Sequence, residues 1–436
     1  LIIAASSPLL RSSGGALDPP RMPSEFSSRG VALAALREWR IGKQFADAIL
    51  ARLLRSSDLT APDRAFVTEL FYGILRNLSL LDFWIGLLRS GHLDHDARDL
   101  LRLGLYQLFI LQTSEHAAVF ETVELAGAKT RSLVNGVLRN ALRRKTELID
   151  KASTQDLSTR SSHPQFLIDR WLRNFGAANT ATLCEWNNRP ATIYARINRL
   201  KISDEDFLAK VSGAERLPLR ENFARLTSIP NDALADGQCY IQDPSTAAAC
   251  VLLDPEPGER VLDACAAPGG KTAYLAELMN NDGFILACDR DEGRIRTLQD
   301  NLERLGISVA QFAQHDWTSG NPPANAEDFD RILVDAPCSN TGVMRRRVDV
   351  RWRLTPKDFS RMAGEQLRIL RAVIPLLKTG GTLVYSTCSL EPEENEETVR
   401  TVLHEFPSLD LTAEVSLLPF RDGFDGAYAA KLTRVT

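Results

Sequence analysis

Three absences narrow the kinds of protein that this sequence can encode. None of its apolar runs is long enough to span a bilayer. The seven cysteines include no closely spaced pair, since the nearest two, Cys239 and Cys250, are eleven residues apart, and this excludes the ligand spacing of a zinc site. An excess of basic residues is also lacking, because the net charge is −4 and the isoelectric point is about 6.0. Any contact with nucleic acid must therefore use local basic patches rather than a general positive field.

The composition is that of a globular protein with several domains. Hydrophobic residues make up 44% of the chain and charged residues 25%, and a length of 436 residues predicts two or three domains. Unpaired cysteines in a chain of this size indicate a reduced, cytoplasmic protein, in which any functional cysteine acts as a thiol. No pattern indicates an oligomer, a metal site or membrane attachment, so we expect a monomer without a metal ion.

Changes in periodicity divide the chain into four regions. Residues 1–30 are rich in Ser, Gly and Pro and predict a disordered leader, within which Met22 is an alternative start. Residues 31–150 carry leucines and aromatics at spacings of three and four, which predicts an all-α bundle. A small α/β module is expected over residues 151–235, and a larger α/β domain over residues 236–436.

The small module is predicted from a few weak signals. Residues 146–162 are polar and rich in Ser and Thr, which is typical of a linker. A helix is expected near residues 164–175, followed by a β-like run at 192–198 and a second helix over 203–211.

Residues 236–436 alternate between short apolar strands and amphipathic helices. The expected strands lie at 260–265, 283–289, 330–335 and 381–386. Helices are expected between them, for example over 291–305 and 356–377. This alternation predicts a doubly wound, mostly parallel sheet, and such sheets bind ligands beyond the carboxyl ends of their strands.

A glycine pair follows the first strand of this domain. Gly269 and Gly270 precede a helix, where backbone N–H groups can approach a ligand closely. Residues 270–272 match the end of a phosphate-binding Walker loop, but Cys265 stands where the first glycine of that loop should be. Asp289 closes the second strand, where an acid takes the hydroxyl groups of a ribose. The pattern therefore favours S-adenosylmethionine or NAD over ATP.

Acidic and thiol side chains follow the ends of these strands. The carboxylates are Asp263, Asp289, Asp316 and Asp335. Because the carboxyl ends of parallel strands share one edge, we expect all four to face one crevice. Cys338 and Cys388 follow the third and fourth strands beside Pro, Ser and Thr, where catalytic groups of such sheets usually lie. The alternative, a thiol that acts as a small hydrophobe, better suits the cysteines in apolar stretches, Cys184, Cys250 and Cys288.

Taken together, these motifs resemble the Sun (Fmu) family of RNA cytosine-5 methyltransferases. The matching segments are DACAAPGGKT at 263–272, DAPCSNTG at 335–342 and STCSLEPEEN at 386–395, with weaker matches at 242–245 and 425–426. The family usually has two aromatics after the last of these, where this chain has Ala427 and Tyr428.

The resemblance extends to the N-terminal half. Residues 63–76, 116–121 and 134–139 resemble the NusB-like domain that the bacterial 16S rRNA branch of the family carries, which implies that residues 31–150 form an RNA-binding domain. Residues 162–164 and 196–198 resemble its connecting module, so the resemblance covers residues 31–436.

What the resemblance implies is a reaction in which two cysteines have different roles. Cys388 would be the nucleophile, Cys338 would assist release of the methylated base, and Asp335 would stabilise the adduct near N3. A thiolate is needed because carbon 5 of cytosine becomes reactive only after addition at carbon 6, and the base must leave its stack to be reached. The implied substrate is a cytosine in small-subunit (16S) rRNA. The implied S-adenosylmethionine contacts are Cys265, Ala266, Ala267, Pro268, Gly269, Gly270, Lys271, Asp289, Asp316 and Asp335.

Basic residues directly after the Pro-Cys motif predict a contact with RNA phosphates. The residues expected to bind RNA are Arg345, Arg346, Arg347 and Arg351. Trp352 beside them could stack or pack. A second basic set over residues 139–145 is equally consistent with RNA contact and with a solvated face.

Three alternatives stay open at this stage. A nicotinamide dehydrogenase would need GxGxxG after the first strand, which is absent, and would leave both strand-end cysteines without a role. An RNA-binding adaptor with an inactive methyltransferase domain is disfavoured by the intact Cys338, Cys388 and Asp335. The same chemistry on tRNA or another rRNA differs only in substrate, which the sequence does not decide.

Overall fold

The computed structural model describes residues 27–218, 220–324 and 326–436, and it divides into two compact units. The helical unit comprises the described residues up to Ala191 together with Met344–Arg353. The sheet unit comprises Thr192–Val343 and Leu354–Thr436. Residues 1–26 of the expected leader lie outside the described residues, and residues 28–30 belong to the first helix.

Among the described residues, the N-terminal part of the helical unit is built from a π-helical turn, Tyr106–Ile110, and ten α-helices. They are α1 (Ser28–Ile41), α2 (Ala46–Arg55), α3 (Ala61–Arg76), α4 (Leu78–Leu88), α5 (His95–Leu105), α6 (Glu115–Glu124), α7 (Ala128–Arg143), α8 (Lys145–Ser153), α9 (Leu157–Ser161) and α10 (Gln165–Asn188). Side-chain caps start several of them, as where Thr60 accepts the Asp63 N–H and Asp94 accepts the Ala97 N–H. Their apolar faces meet in one core, which includes Leu36, Phe71 and Leu138. The all-α prediction for this region is confirmed.

The length and hydrophobicity of these helices bear on membrane insertion. Within the described ranges no single helix is long and apolar enough to cross a bilayer. The pair α3 and α4, bent by 75° at their junction, reaches that length and apolar character when the two helices are taken together, by length and composition alone.

The segment expected to be a polar linker is helical instead. Residues 145–161 form α8 and α9, so this prediction was wrong. Leu148 and Ala152 of α8 are buried, and the Leu148 carbonyl accepts the indole N–H of Trp84 at 3.0 Å. Asp156 caps α9 by accepting the Thr159 N–H at 2.9 Å. The segment is polar because only one face of its helices is buried. The spacing of the buried residues reveals such a helix, whereas a count of Ser and Thr does not.

Residues 344–353 leave the sheet unit and fold into the helical unit. Val348 is buried in the helical core. Asp349 accepts the Ala46 N–H at 3.0 Å, and the Trp352 indole donates to the Leu75 carbonyl at 2.8 Å. Residues Val350–Arg353 form the short helix α16.

Burial in this segment corrects the prediction for two of the four RNA-binding arginines. Arg351 is fully buried and donates to the Ser162 and Asn187 carbonyls and to Asn188 Oδ1 at 2.7–3.2 Å. Arg345 is also buried, with its guanidinium over the Trp186 ring at 4.0 Å from the centroid. Both groups therefore join the segment to the helical unit and are not available to a phosphate. Of the other two, Arg346 is half-buried and Arg347 is exposed, so their role in RNA binding stays a prediction.

The sheet unit begins with a small four-stranded antiparallel sheet. Its elements are β1 (Ile193–Ile197), α11 (Asp204–Lys210), β2 (Ala214–Leu217), β3 (Arg220–Leu226), α12 (Asn231–Ala235) and β4 (Cys239–Ile241), with strand order β2-β3-β1-β4. The predicted strand at 192–198 and helix at 203–211 correspond to β1 and α11. The other three strands were not predicted, because they are short or rich in charged residues.

The larger sheet has seven strands in the order β10-β11-β9-β8-β5-β6-β7. The elements are α13 (Ala247–Leu253), β5 (Arg260–Asp263), α14 (Gly270–Leu278), β6 (Phe284–Asp289), α15 (Glu292–Leu305), β7 (Ala310–Gln314), β8 (Phe329–Asp335), α17 (Pro356–Val373), β9 (Leu377–Thr387), α18 (Glu396–Glu405), β10 (Leu409–Leu417), α19 (Pro419–Asp422) and β11 (Ala427–Arg434).

Strands β5 to β9 pair in parallel, and β10 and β11 add an antiparallel edge. The mostly parallel sheet is thus confirmed. Chain order reverses between β5 and β8, since β6 and β7 lie on one side and β9 on the other. Open α/β sheets bind their ligands at such a reversal, beyond the carboxyl ends of the strands.

We predict that Arg351→Met loosens residues 344–353. The substitution leaves three buried oxygen acceptors without their donor, at a cost of roughly 3 kcal/mol. Hydrogen exchange should show lost protection over this segment. Arg347→Met is the matched control, since Arg347 is exposed in the same segment. Equal protection in both variants would contradict the anchoring role.

Candidate active site

The loop between β5 and α14 ends in a backbone conformation that suits only glycine. Gly269 has φ +103°, and a Cβ there would lie 2.8 Å from a methyl carbon of Leu298. A Cβ on Gly270 would lie 2.7 Å from the Tyr240 ring. The glycine pair therefore keeps the N-terminus of α14 free of side chains, which leaves its backbone N–H groups accessible to a ligand.

The antiparallel sheet holds this loop through one buried arginine. Arg196 on β1 is fully buried and donates to the Gly270 carbonyl at 3.2 Å and to Gln242 Oε1 at 3.0 Å. It also forms an ion pair with Glu277 of α14. Its guanidinium lies 4.7 Å from the centroid of the Tyr274 ring. The small sheet thus fixes where α14 begins.

Four carboxylates end neighbouring strands, as the sequence predicted. Asp335, Asp263 and Asp289 end β8, β5 and β6, and Asp316 follows β7. Asp289 is buried and pairs with Arg294 at 3.1 Å. Asp316 accepts from the Thr318 hydroxyl at 2.6 Å, and this bond is the main cause of its lowered pKa.

The innermost carboxylate, Asp263, has an incomplete set of partners. One oxygen accepts from the Thr272 hydroxyl at 2.7 Å, and the other has no hydrogen-bond partner among the described residues. Burial, opposed by the Thr272 bond, raises the pKa of Asp263 to about 7. A buried carboxylate oxygen without a partner beside a glycine loop fits a cationic ligand, whose charge would favour the ionised form.

The structure brings together the two cysteines that the sequence singled out. Cys338 and Cys388 are 50 residues apart in the chain, and their sulfur atoms lie 3.1 Å apart. Cys388 is partly exposed and donates to Asn340 Oδ1 at 3.2 Å, whereas Cys338 is buried. The hydrogen bond with Cys388, followed by burial and the charges of Cys388 and Glu394, raises the pKa of Cys338 well above its usual value. The two thiols therefore differ in exposure and in environment.

A partly buried ion pair lies near the thiols. Lys271 Nζ lies 2.6 Å from Asp335 Oδ2. Burial acts to lower the pKa of Lys271, but the Asp335 carboxylate outweighs it, and the net shift is upward. Sequence reasoning had assigned Lys271 only a backbone contact with the cofactor, so its side-chain role was missed.

A third carboxylate, Glu394, bridges the two cysteine loops and was also missed. It is fully buried in a turn before α18 and accepts the Ser339 N–H at 2.9 Å and the Ser389 hydroxyl at 2.7 Å. Gln366 of α17 donates to it at 3.0 Å. Ser339 and Ser389 each follow a cysteine, so one side chain ties the two loops together. The acidic run that contains Glu394 was interpreted as a helix start, and nothing in its composition distinguishes this glutamate.

Close glycine contacts hold the same loops from the other side. The Gly342 N–H donates to the Cys388 carbonyl at 2.9 Å, and the Gly426 N–H donates to the Gly342 carbonyl at 2.8 Å. A Cβ on Gly342 would lie 2.8 Å from both the Cys388 carbonyl oxygen and the Gly426 Cα. The motif at 425–426 therefore acts by packing against the loop of Cys388.

Comparison with known proteins agrees with this geometry. A family model described as 16S rRNA methyltransferase RsmB/F matches residues 250–433, and a NusB family model matches 27–143. A third model, the ferredoxin-like domain of RsmF/B-like methyltransferases, matches 163–216. The chain is 34% identical over 420 residues to the probable ribosomal RNA small subunit methyltransferase B of Bacillus subtilis, covering 91% of this chain and 94% of that one. The chain belongs to the RsmB/F family of rRNA methyltransferases.

Two further comparisons extend over the whole chain. The ribosomal RNA small subunit methyltransferase B of Serratia proteamaculans is 34% identical over 438 residues, covering 95% of this chain and 100% of that one. The crystal structure of PH0851 superimposes with a TM-score of 0.77 at 27% identity, covering 96% and 100%. The family resemblance seen in the sequence, including its NusB-like region, is confirmed.

As an RsmB/F methyltransferase, the protein uses S-adenosylmethionine. The observed loop fits this cofactor in two respects. The exposed backbone of Gly269 and Gly270 suits close approach of a ligand, and the unpartnered oxygen of Asp263 suits a ligand that carries positive charge. When bound, S-adenosylmethionine supplies an electrophilic methyl group.

We predict that Gly269→Ala weakens S-adenosylmethionine binding by about tenfold or more. The new Cβ has to occupy space held by Leu298 and to adopt a left-handed backbone. Isothermal titration calorimetry would measure the affinity. Gly258→Ala is the control, since Gly258 has φ +86° but open space around it. Similar losses in both variants would assign the effect to backbone strain alone.

A second prediction concerns Glu394. In Glu394→Gln the charge that helps to raise the Cys338 pKa is removed, so Cys338 should react faster with iodoacetamide, which mass spectrometry can follow. S-adenosylmethionine affinity should stay within about twofold. Glu397→Gln, exposed in the same acidic run, should leave both properties unchanged. Unaltered Cys338 reactivity in Glu394→Gln would refute the electrostatic coupling.

Proposed function

We propose that this enzyme methylates carbon 5 of a cytosine in 16S rRNA through a covalent bond from Cys388 to carbon 6. The observation that carries the proposal is the pair of thiols 3.1 Å apart at the ends of adjacent strands, beside the Lys271–Asp335 ion pair. Two chemically distinct thiols at one cofactor edge suit a reaction that needs both addition and elimination at the base. The relatives from Bacillus subtilis and Serratia proteamaculans are named as small-subunit rRNA methyltransferases, which supports this choice of RNA.

The first step is addition of the Cys388 sulfur to carbon 6. The sulfur forms a bond to carbon 6 as the Cys388 thiol proton passes to N3 of the base, and the electron pair of the C5–C6 double bond makes carbon 5 nucleophilic enough to take the methyl group. Cys388 suits this role because it is the more exposed of the two thiols and its hydrogen bond to Asn340 orients it. The target base has to be extruded from its stack to reach the sulfur.

Asp335 stabilises the charge that develops on the base. Its carboxylate can accept a hydrogen bond from the protonated N3 of the adduct, and the ion pair with Lys271 holds that carboxylate in position. The cofactor is held by the backbone of residues 265–271 together with Asp289, Asp316 and Asp335. The location we propose is the cytoplasm, since both thiols have to stay reduced.

Cys338 assists release of the product. Its raised pKa keeps it protonated, so it can give a proton to the Cys388 sulfur as the S–C6 bond breaks. The resulting Cys338 thiolate takes the proton from carbon 5, and the electrons of that C–H bond restore the C5–C6 double bond. N3 then loses to solvent the proton that it gained in the first step, so both thiols return to their initial state and one proton is released for each methyl group transferred.

We predict opposite outcomes for the two cysteine variants. Wild type, Cys338→Ala and Cys388→Ala are incubated with S-adenosylmethionine and 16S rRNA and run on a denaturing gel. Cys338→Ala should accumulate a protein–RNA adduct, because addition is intact and release is slow. Cys388→Ala should form no adduct and lose 5-methylcytosine formation by about 10³-fold or more.

Cys184→Ala, which removes a buried thiol of the helical unit, serves as the control and should behave as wild type. Full activity of Cys388→Ala would exclude the assigned nucleophile. If wild type methylates tRNA or 23S rRNA but not 16S rRNA, the chemistry stands and the substrate is wrong. If wild type binds RNA but methylates none of these, the adaptor alternative is favoured.

A further inference from the structure

The helical unit contains a cavity that the proposed reaction does not use. It has a volume of about 580 Å³ and lies between the end of α1, the start of α4, the start of α5 and residues 352–353. Its lining includes two indoles, Trp39 and Trp352, and basic groups that include Arg40, Arg98, Arg102 and His92. Among the described residues no carboxylate lines it.

Aspartates that do not line the cavity form ion pairs with its arginines. These pairs position the arginines but do not neutralise all of their charge. Arg102 engages both oxygens of Asp82 at 2.8 and 2.7 Å, and Arg40 pairs with Asp96 at 2.9 Å. The linked cluster contains four arginines, at 37, 40, 98 and 102, and three aspartates, at 82, 96 and 99. Four cations against three anions leave one positive charge in excess.

Arg98 is the residue that carries this excess. Its nearest carboxylate, Asp82, is 3.7 Å away and already binds Arg102 with both oxygens. The Arg98 side chain is 35% exposed, so its donors can reach a ligand in the cavity. A guanidinium fixed at one end of a cavity and lacking a close partner is suited to an anionic oxygen.

Aromatic and apolar groups point to a ligand with a flat ring as well as an anion. Trp39 and Trp352 line the cavity, and their indoles can stack on a base. At the end of α1 and just beyond it, Ile41 and Phe45 are 66% and 49% exposed, which is unusual for large hydrophobic side chains. A plain phosphate would use the arginines only, and an acidic peptide would leave the indoles without a specific role.

We infer that this cavity binds one nucleotide of the RNA substrate, with its base against the indoles and its phosphate at Arg98. This inference rests on the proposed function, because it takes RNA as the substrate. The sequence placed an RNA contact on the arginines of 345–351 and left the basic set over 139–145 open as a second one, and neither set lines this cavity. Two of those arginines are buried, whereas Arg98 and His92, far away in sequence, face an open cavity.

The test measures RNA binding without S-adenosylmethionine, so it is independent of methyl transfer. The full-length protein is titrated into a fluorescein-labelled single-stranded RNA dodecamer, and anisotropy gives the Kd at several salt concentrations. Arg98→Ala should raise the Kd by roughly five- to thirtyfold and reduce the salt dependence by about one phosphate contact. Trp39→Phe should reduce the quenching of tryptophan fluorescence when RNA binds.

Arg189→Ala is the matched control, since it removes an exposed arginine of the same unit that does not line the cavity. Its Kd should stay within about twofold of wild type. In methylation assays Arg98→Ala should raise KM for 16S rRNA and leave kcat unchanged, which a general loss of folding would not produce.

Two outcomes overturn the inference. If Arg98→Ala and His92→Ala each keep the wild-type Kd, the cavity does not bind RNA and a protein partner becomes the next candidate. Equal loss of affinity in Arg189→Ala would show a diffuse charge effect in place of a site. If the proposed function is wrong and the inference is right, the variants change RNA binding although the wild type methylates no RNA.

Discussion

The parallel pairing of β8 with β9 is the constraint on which the candidate active site depends. Asp335 lies opposite Ser386 in the register, and the Ala336 N–H donates to the Ser386 carbonyl at 2.9 Å. This pairing brings together the loops that follow the two strands, and with them Cys338 and Cys388. A shift of one residue would turn the side chains of one strand to the opposite face of the sheet and separate the groups. Glu394 on one side and the Gly342–Gly426 contact on the other then set the spacing of the thiols.

Cofactor binding and thiol chemistry are linked through a few buried charges. Arg196 positions the start of α14, and the second residue of that helix, Lys271, holds Asp335 beside the thiols. The small antiparallel sheet thus acts on the candidate site through the backbone of the glycine loop. Arg196 is fully buried and Lys271 and Asp335 are partly buried, and each of these charges has a partner, as a charge shielded from water has to have. The exception is one oxygen of Asp263, which has no hydrogen-bond partner among the described residues.

Arginines in this protein illustrate why a basic run in the sequence does not establish a binding surface. Arg345 and Arg351 belong to such a run, yet their guanidinium groups are used inside the helical unit. Among the described residues no carboxylate pairs with Arg351, and burial together with nearby Arg76 lowers its pKa. The cation is instead surrounded by carbonyl oxygens, an arrangement that joins residues 344–353 to the helices. Arg98 differs from both, since it is partly exposed and its nearest carboxylate already binds Arg102 with both oxygens.

The sequence alone determined several features of the fold and of the candidate site. They are the all-α region, the alternating strands, the glycine loop, the four strand-end carboxylates and the two cysteines. These follow from local rules, since strand ends, caps and glycine turns depend on a few adjacent residues. The sequence could not reveal that 145–161 is helical, that Glu394 joins two loops, or that Arg351 is buried. Those facts depend on which distant segments meet, and burial and charge partners arise only when the chain has folded.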